Sequence, residues 1–133
     1  MGQHQQLLLL VLGAIIVGAA ILVGAQMFST SAINANRDAV LQDCLTIAAR
    51  AQMWYRTPTM LGGGGRDFSD IDLANIRFPE DNENASSFAI SVDAANQLTI
   101  SATGREPQAN PGMVTIVIYP DSVSAPNFGG GWQ

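Results

Sequence analysis

Residues 7–28 read LLLLVLGAIIVGAAILVGAQMF, and Gln26 is their one clearly polar member. No Asp, Glu, Lys or Arg occurs before Arg37. As a helix, a run of this length rises roughly 33 Å, enough to cross a hydrocarbon core of about 30 Å. A cleavable secretory signal has a basic start and a shorter apolar core, and neither is found here. A core helix of a soluble domain fits poorly too, because a domain this small has too little protein to wrap a segment apolar on every side. A plain single-span anchor normally has flanking cations that set its topology, and these are missing. Gly13, Gly18 and Gly24 punctuate the run, with Ala14, Ala19, Ala20 and Ala25 beside them. Small residues let helix backbones approach closely in an apolar medium.

The helical pattern continues past Phe28. No proline precedes Pro58, and apolar residues recur at Ile33, Val40, Cys44, Ile47, Ala51 and Trp54, one stripe of an amphipathic helix. Arg37, Gln42, Asp43, Thr46 and Arg50 are expected on its solvated surface. Thr57-Pro58 favours extended backbone and ends the helix. The prediction is one helix from near Gln5 to Arg56, apolar all round over residues 1–28 and amphipathic over 29–56, with a slight bend possible at Ser29-Thr30-Ser31.

Residues 57–87 read as an irregular connector in which Gly62–Gly65 is a flexible run. The glycines lack the flanking strand, Lys and Ser/Thr of a phosphate loop. Asp67, Asp70 and Asp72 are spaced loosely like calcium ligands, but without the Gly and Glu of an EF-hand they read as a solvated turn. Ile71–Phe78 suits a short strand or a helical turn. Residues 88–133 are expected to form the head. Phe88–Val92 and Leu98–Ala102 alternate as a hairpin, and Met113–Tyr119, apolar throughout, suits a buried central strand ended by Pro120. The fold class is therefore α+β, a long N-terminal helix packed by a small antiparallel sheet of three or four strands. The tail from Pro120 carries Phe128 and Trp132, and its composition leaves docking or fraying open.

The 133 residues carry a net charge of −5, with six arginines, no lysine and eleven acids. The arginines are scattered, so no nucleic-acid site is evident. Cys44 is the single cysteine and reads as a small buried hydrophobe. His4 is the single histidine, far from any metal-ligand partner, and reads as a headgroup-level residue. No catalytic constellation, cofactor fingerprint or metal cluster is present, so the expectation is a non-enzyme with no cofactor. The first 27 residues contain no Phe, Tyr or Trp, which argues against a conducting aromatic core.

The order of a charge-free apolar helix, an amphipathic continuation and a small sheet resembles the type IV pilin family and its type II secretion pseudopilin relatives. The opening MGQHQQLLLLVLGAIIVG is similar to a group of bacterial pilin-like sequences that begin Met-Gly-Gln before a leucine run. The resemblance implies a subunit that polymerises with itself into a cell-surface filament through its N-terminal helix. Its partners would be the cytoplasmic membrane before assembly and a dedicated assembly machine. Gln5, Leu8, Leu12, Gly13, Ile16, Gly18, Ile21, Gly24 and Phe28 would then lie in the helical core. Family members carry a short basic leader ending in Gly, whereas only Met1 and Gly2 precede Gln3 here: either the chain starts at the mature residue, or its leader is absent or minimal. The family's Glu at mature position five, which pairs with a neighbour's terminal amine, is Gln5 if Met1 is mature residue one. An amide there can hydrogen-bond but cannot form that ion pair. A low-copy pseudopilin and a membrane-tethered binding domain that never polymerises are the alternatives. Asn84-Ala85-Ser86 is a possible glycosylation sequon, expected in an exposed loop.

Overall fold

The computed structural model describes residues 2–133; Met1, with which the Met-Gly-Gln opening begins, lies outside them. The fold is α+β. Helix α1 runs Gly2–Arg56, and strands β1 (Ala85–Ala94), β2 (Gln97–Gly104), β3 (Gly112–Ile118) and β4 (Asn127–Gly130) form one antiparallel sheet in the order β1-β2-β3-β4. The chain divides into two units, one ending at Ala32 and a second spanning Ile33–Gln133.

In the first unit the helix begins three residues earlier than expected and stays helical through Ser29-Thr30-Ser31. It is long and apolar enough to cross a membrane, and none of its apolar window is buried.

The second unit is built on the predicted stripe. Val40, Cys44, Ile47 and Ala51 are buried, joined by Ala48, and Ile33 and Trp54 are half-buried at its two ends. Opposite them, Leu98, Ile100 and Ala102 of β2 and Val114, Ile116 and Ile118 of β3 complete the core. The register places Ile100 between Ile90 and Ile116, so branched side chains stack across three strands. The continuous apolar run of β3 is nonetheless buried on one face only. Met113 is 48 % exposed, and Tyr119 lies beyond the strand end in a turn closed by its N–H on the Ser122 carbonyl. An antiparallel sheet covered on one side alternates inward and outward residues, whatever the apolarity of the outward set.

Two expectations are corrected, and a third is narrowed to one of its alternatives. Strand β1 starts at Ala85, inside the expected connector, because buried Ala85 and the Ser86 hydroxyl, which donates to the Thr103 carbonyl, extend the pairing with β2. The glycine run is not a free segment. The Gly64 N–H donates to the Trp54 carbonyl, the Gly65 N–H to that of Thr57 and the Arg66 N–H to that of Tyr55. Trp54 and Tyr55 are in the last turn, whose carbonyls the end of a helix leaves without intrahelical partners, so the connector caps α1. A Cβ on Gly64 would stand 2.4 Å from both the Asp67 carbonyl oxygen and the Trp54 ring, so only glycine fits this wrap. Residues 71–78 form turns and no strand, with Ile71 and Ile76 turned into the core.

The tail is docked. Strand β4 pairs with β3 from Thr115↔Asn127 to Gly112↔Gly130. Trp132 folds back over Gly104 and Gly112, is 6 % exposed and packs edge-to-face with Phe128 at 6.4 Å. A Cβ on Gly112 would lie 2.0 Å from the indole, so that glycine is the floor of the tryptophan's seat. The tail's own composition could not show this, because the seat is made by residues of two other strands.

Candidate functional site

The residues expected in an assembly core all lie on the first unit of α1. Gln5, Leu8, Leu12, Gly13, Ile16, Gly18, Ile21 and Phe28 are exposed, and Gly24 is half-buried. At 3.6 residues per turn they are spread round the helix and do not share one face. Leu8 is 70 %, Ile16 60 % and Phe28 82 % exposed, so these side chains are left uncovered by the described residues. The glycines are informative. A Cβ at Gly13, Gly18 or Gly24 would meet nothing within 4 Å, and none of the three has a positive φ. Each weakens the helix by about 1 kcal/mol relative to alanine. Neither backbone conformation nor packing within the subunit asks for glycine at these positions.

On the second unit, polar residues beside the apolar stripe clasp the head. Asn36, Asp43 and Arg50, seven residues apart, occupy one flank. The Asn36 amide donates to the Asn84 carbonyl at 2.7 Å, and its oxygen accepts the Arg105 and Glu106 N–H groups. The Asp43 carboxylate accepts from the Asn82 and Asn84 side chains at 2.8 and 3.2 Å. The Arg50 guanidinium donates to the Arg77 carbonyl at 2.9 Å and lies over the Phe78 ring. On the other flank Gln52 donates to the Tyr119 carbonyl, Arg56 donates to the Pro120 carbonyl and pairs with Asp121, and Arg37 lies over Phe128. Arg50 is exposed as expected, though its guanidinium reaches the head, whereas Arg37 and Asp43 are half-buried against it. The sequence signal was the seven-residue spacing of Asn36, Asp43 and Arg50, which puts them on one helix face next to the stripe.

Asn84 is half-buried rather than exposed, and its side-chain nitrogen, the atom a glycan would occupy, is hydrogen-bonded to Asp43. Attachment there on the folded subunit would break this clasp. Asp67 accepts the Ser69 hydroxyl and N–H, bonds that hold its carboxyl below the usual range. Asp72 and Asn75 exchange two hydrogen bonds. These acids close local turns, and among the described residues no group of three or more His, Cys, Asp and Glu could hold a metal ion.

Cys44 is fully buried, and burial first, then the neighbouring Asp43 carboxylate, pushes its thiol up to about 12. The folded value lies above the ordinary 9.0, so the unfolded chain ionises first. The contribution to stability is complete below pH about 9 and is lost as pH climbs towards 12. A maleimide at pH 8 is expected to label the native chain only at the rate of unfolding, and the denatured chain at once. Rapid labelling of the native chain would contradict the burial.

The sequence and the fold match no protein-family model, no curated protein and no solved structure. The functional reading rests on the residues themselves.

Proposed function

We propose that this chain is the structural subunit of an extracellular filament of the type IV pilin kind, held in the cytoplasmic membrane by its N-terminal helix before assembly. The observation that carries the reading is the apolar run at residues 7–28 of α1: apolar on all sides, free of Asp, Glu, Lys and Arg, and left uncovered by the described residues. A lipid bilayer satisfies such a surface, and so does a bundle of sister helices. Moving from one to the other has little hydrophobic cost, because both surroundings are apolar. The three glycines favour the bundle as the final state. Lipid has no use for a missing Cβ, whereas a neighbouring backbone has. The second unit supports the same reading, because its acidic, clasped head suits an outward-facing particle.

In this reading the subunit's partners are other copies of itself and a membrane machine that extracts and stacks them, and the chain acts by assembling, not by catalysis. Electron microscopy of filaments sheared from the cell surface, with N-terminal sequencing of their subunit, is the direct test. Micrometre-long fibres composed mainly of this chain are expected. A chain recovered only as a scarce component of a secretion complex would indicate a pseudopilin. A permanently monomeric, bilayer-bound chain would overturn the proposal.

A further inference from the structure

Where the connector meets the end of α1, Tyr55, Arg56, Arg66, Asn96, Pro120 and Asp121 line a cleft of about 490 Å³. Arg56 is engaged: it donates to the Pro120 carbonyl at 2.9 Å and pairs with Asp121 at 3.2 Å. Arg66 is different. Its backbone N–H is tied to the Tyr55 carbonyl, but its guanidinium has no hydrogen bond or ion pair among the described residues. Its φ is +67°, directly after Gly65 at +60°. Left-handed backbone disfavours side chains other than Gly, Asn and Asp, so the turn itself gives no reason for arginine. The charge is held on left-handed backbone at the mouth of a cleft, with no ion-pair partner within 4 Å among the described residues; Asp121, on the same cleft, is paired with Arg56.

The complementary charge lies on the other flank. Glu80, Asp81 and Glu83 are exposed, and none of them has a cation within 4 Å among the described residues. Arg105 is spent on the Asn82 carbonyl, and Arg77, the other non-glycine residue at positive φ (+55°), has no ion pair with these acids within 4 Å and does not line the Arg66 cleft. Asn82 and Asn84 point inward to Asp43, which anchors the loop and leaves its acids outside. From Asp43 to Arg56 is thirteen residues along α1, about 20 Å of rise and about 140° of rotation. The helix positions beside which the two charged features sit are therefore offset along α1 and on different faces of it, and no ion pair joins the two features within the subunit.

We infer that Arg66 and its cleft receive the Glu80–Glu83 loop of a second copy of this chain, a head-to-head contact that rests on the filament reading above. Two different surfaces meet, so the contact is heterologous. Each copy keeps one surface free for the next, and an axial offset of about 20 Å between the two surfaces gives an open helical array and not a closed dimer. Its charged character makes it sensitive to salt, unlike the apolar helix packing.

The test is made on the full chain in cells that assemble it. Arg66→Glu keeps the side-chain branch at the strained position and reverses the charge, and Arg66→Gln only removes it. With membrane levels of the subunit unchanged, Arg66→Glu is expected to lower sheared filament about tenfold, the factor that corresponds to about 1.4 kcal/mol. Filaments of the Gln variant should come apart at lower salt than those of the native chain. Combining Arg66→Glu with Glu83→Arg should restore filament to within about twofold, as complementary charges do at other interfaces. If Arg66→Glu fails to accumulate, the Gln variant decides. Native filament yield and salt resistance in the Arg66 variants, or no rescue by the charge swap, would overturn the contact and leave the filament reading intact. A native chain that never forms filaments overturns that reading and the contact with it.

Discussion

Ile16→Asp is expected to abolish filaments while the chain still enters the membrane and its second unit stays folded. Ile16 lies in the middle of the uncovered apolar helix. A single carboxylate at the centre of a membrane helix costs about 2.5–3.5 kcal/mol, which a segment this apolar tolerates. In a bundle of sister helices the penalty recurs in every subunit, each time as an unpaired buried charge, and no Lys or Arg lies before Arg37 to offset it. Gly18→Leu is the companion. It improves both helix propensity and membrane partition, so its expected defect in assembly comes from the lost close approach of backbones alone. Membrane fractionation, thiol protection of Cys44 and counting of sheared filaments separate insertion, folding and assembly. Normal filaments from the Asp variant would defeat the bundle.

Trp132→Ala has the largest expected effect on the head. The indole is 6 % exposed, seated on Gly104 and Gly112 and edge-on to Phe128. Truncating a buried aromatic costs about 3–5 kcal/mol. That is a large share of the 5–15 kcal/mol that typically separates a domain from its unfolded state. The loss should first release β4, which pairs with β3 over four residue pairs and has no other strand beside it. Trp132→Phe is expected to cost less than the ring volume suggests, because the indole N–H is buried without an acceptor and its removal abolishes an unsatisfied donor. Denaturant unfolding of the detergent-solubilised chain, with hydrogen exchange at residues 127–130, measures both effects. An Ala variant as stable as the native chain would show that the tail merely rests on the sheet.

The two predictions address two kinds of packing, and the same residue type serves differently in each. Gly104 and Gly112 are glycine because Trp132 occupies the space of their side chains. Gly13, Gly18 and Gly24 are glycine although nothing in the chain fills that space. In the filament reading, the first pair is filled within the subunit and the second set between subunits.

The long helix, its two-part character and its end at Arg56 were legible from residues alone. They depend on local rules: unbroken apolar content, a 3.6-residue stripe, and a proline that cannot continue the turn. The buried stripe of Val40, Cys44, Ile47 and Ala51 and the pairing of the first two strands followed from periodicity in the same way. Tertiary structure alone decided the rest. It made clasps of Asp43 and Arg50, drew the glycine run into a cap on α1, and half-buried Asn84. It also pinned the tail through Trp132 and set Arg66 apart from the acidic loop. The hydrogen bonds among these join residues eight (Gly65 and Thr57) to 41 (Asp43 and Asn84) positions apart in the chain. Periodicity shows which face of an element is buried, but which polar group meets which carbonyl is fixed only when the elements are brought together.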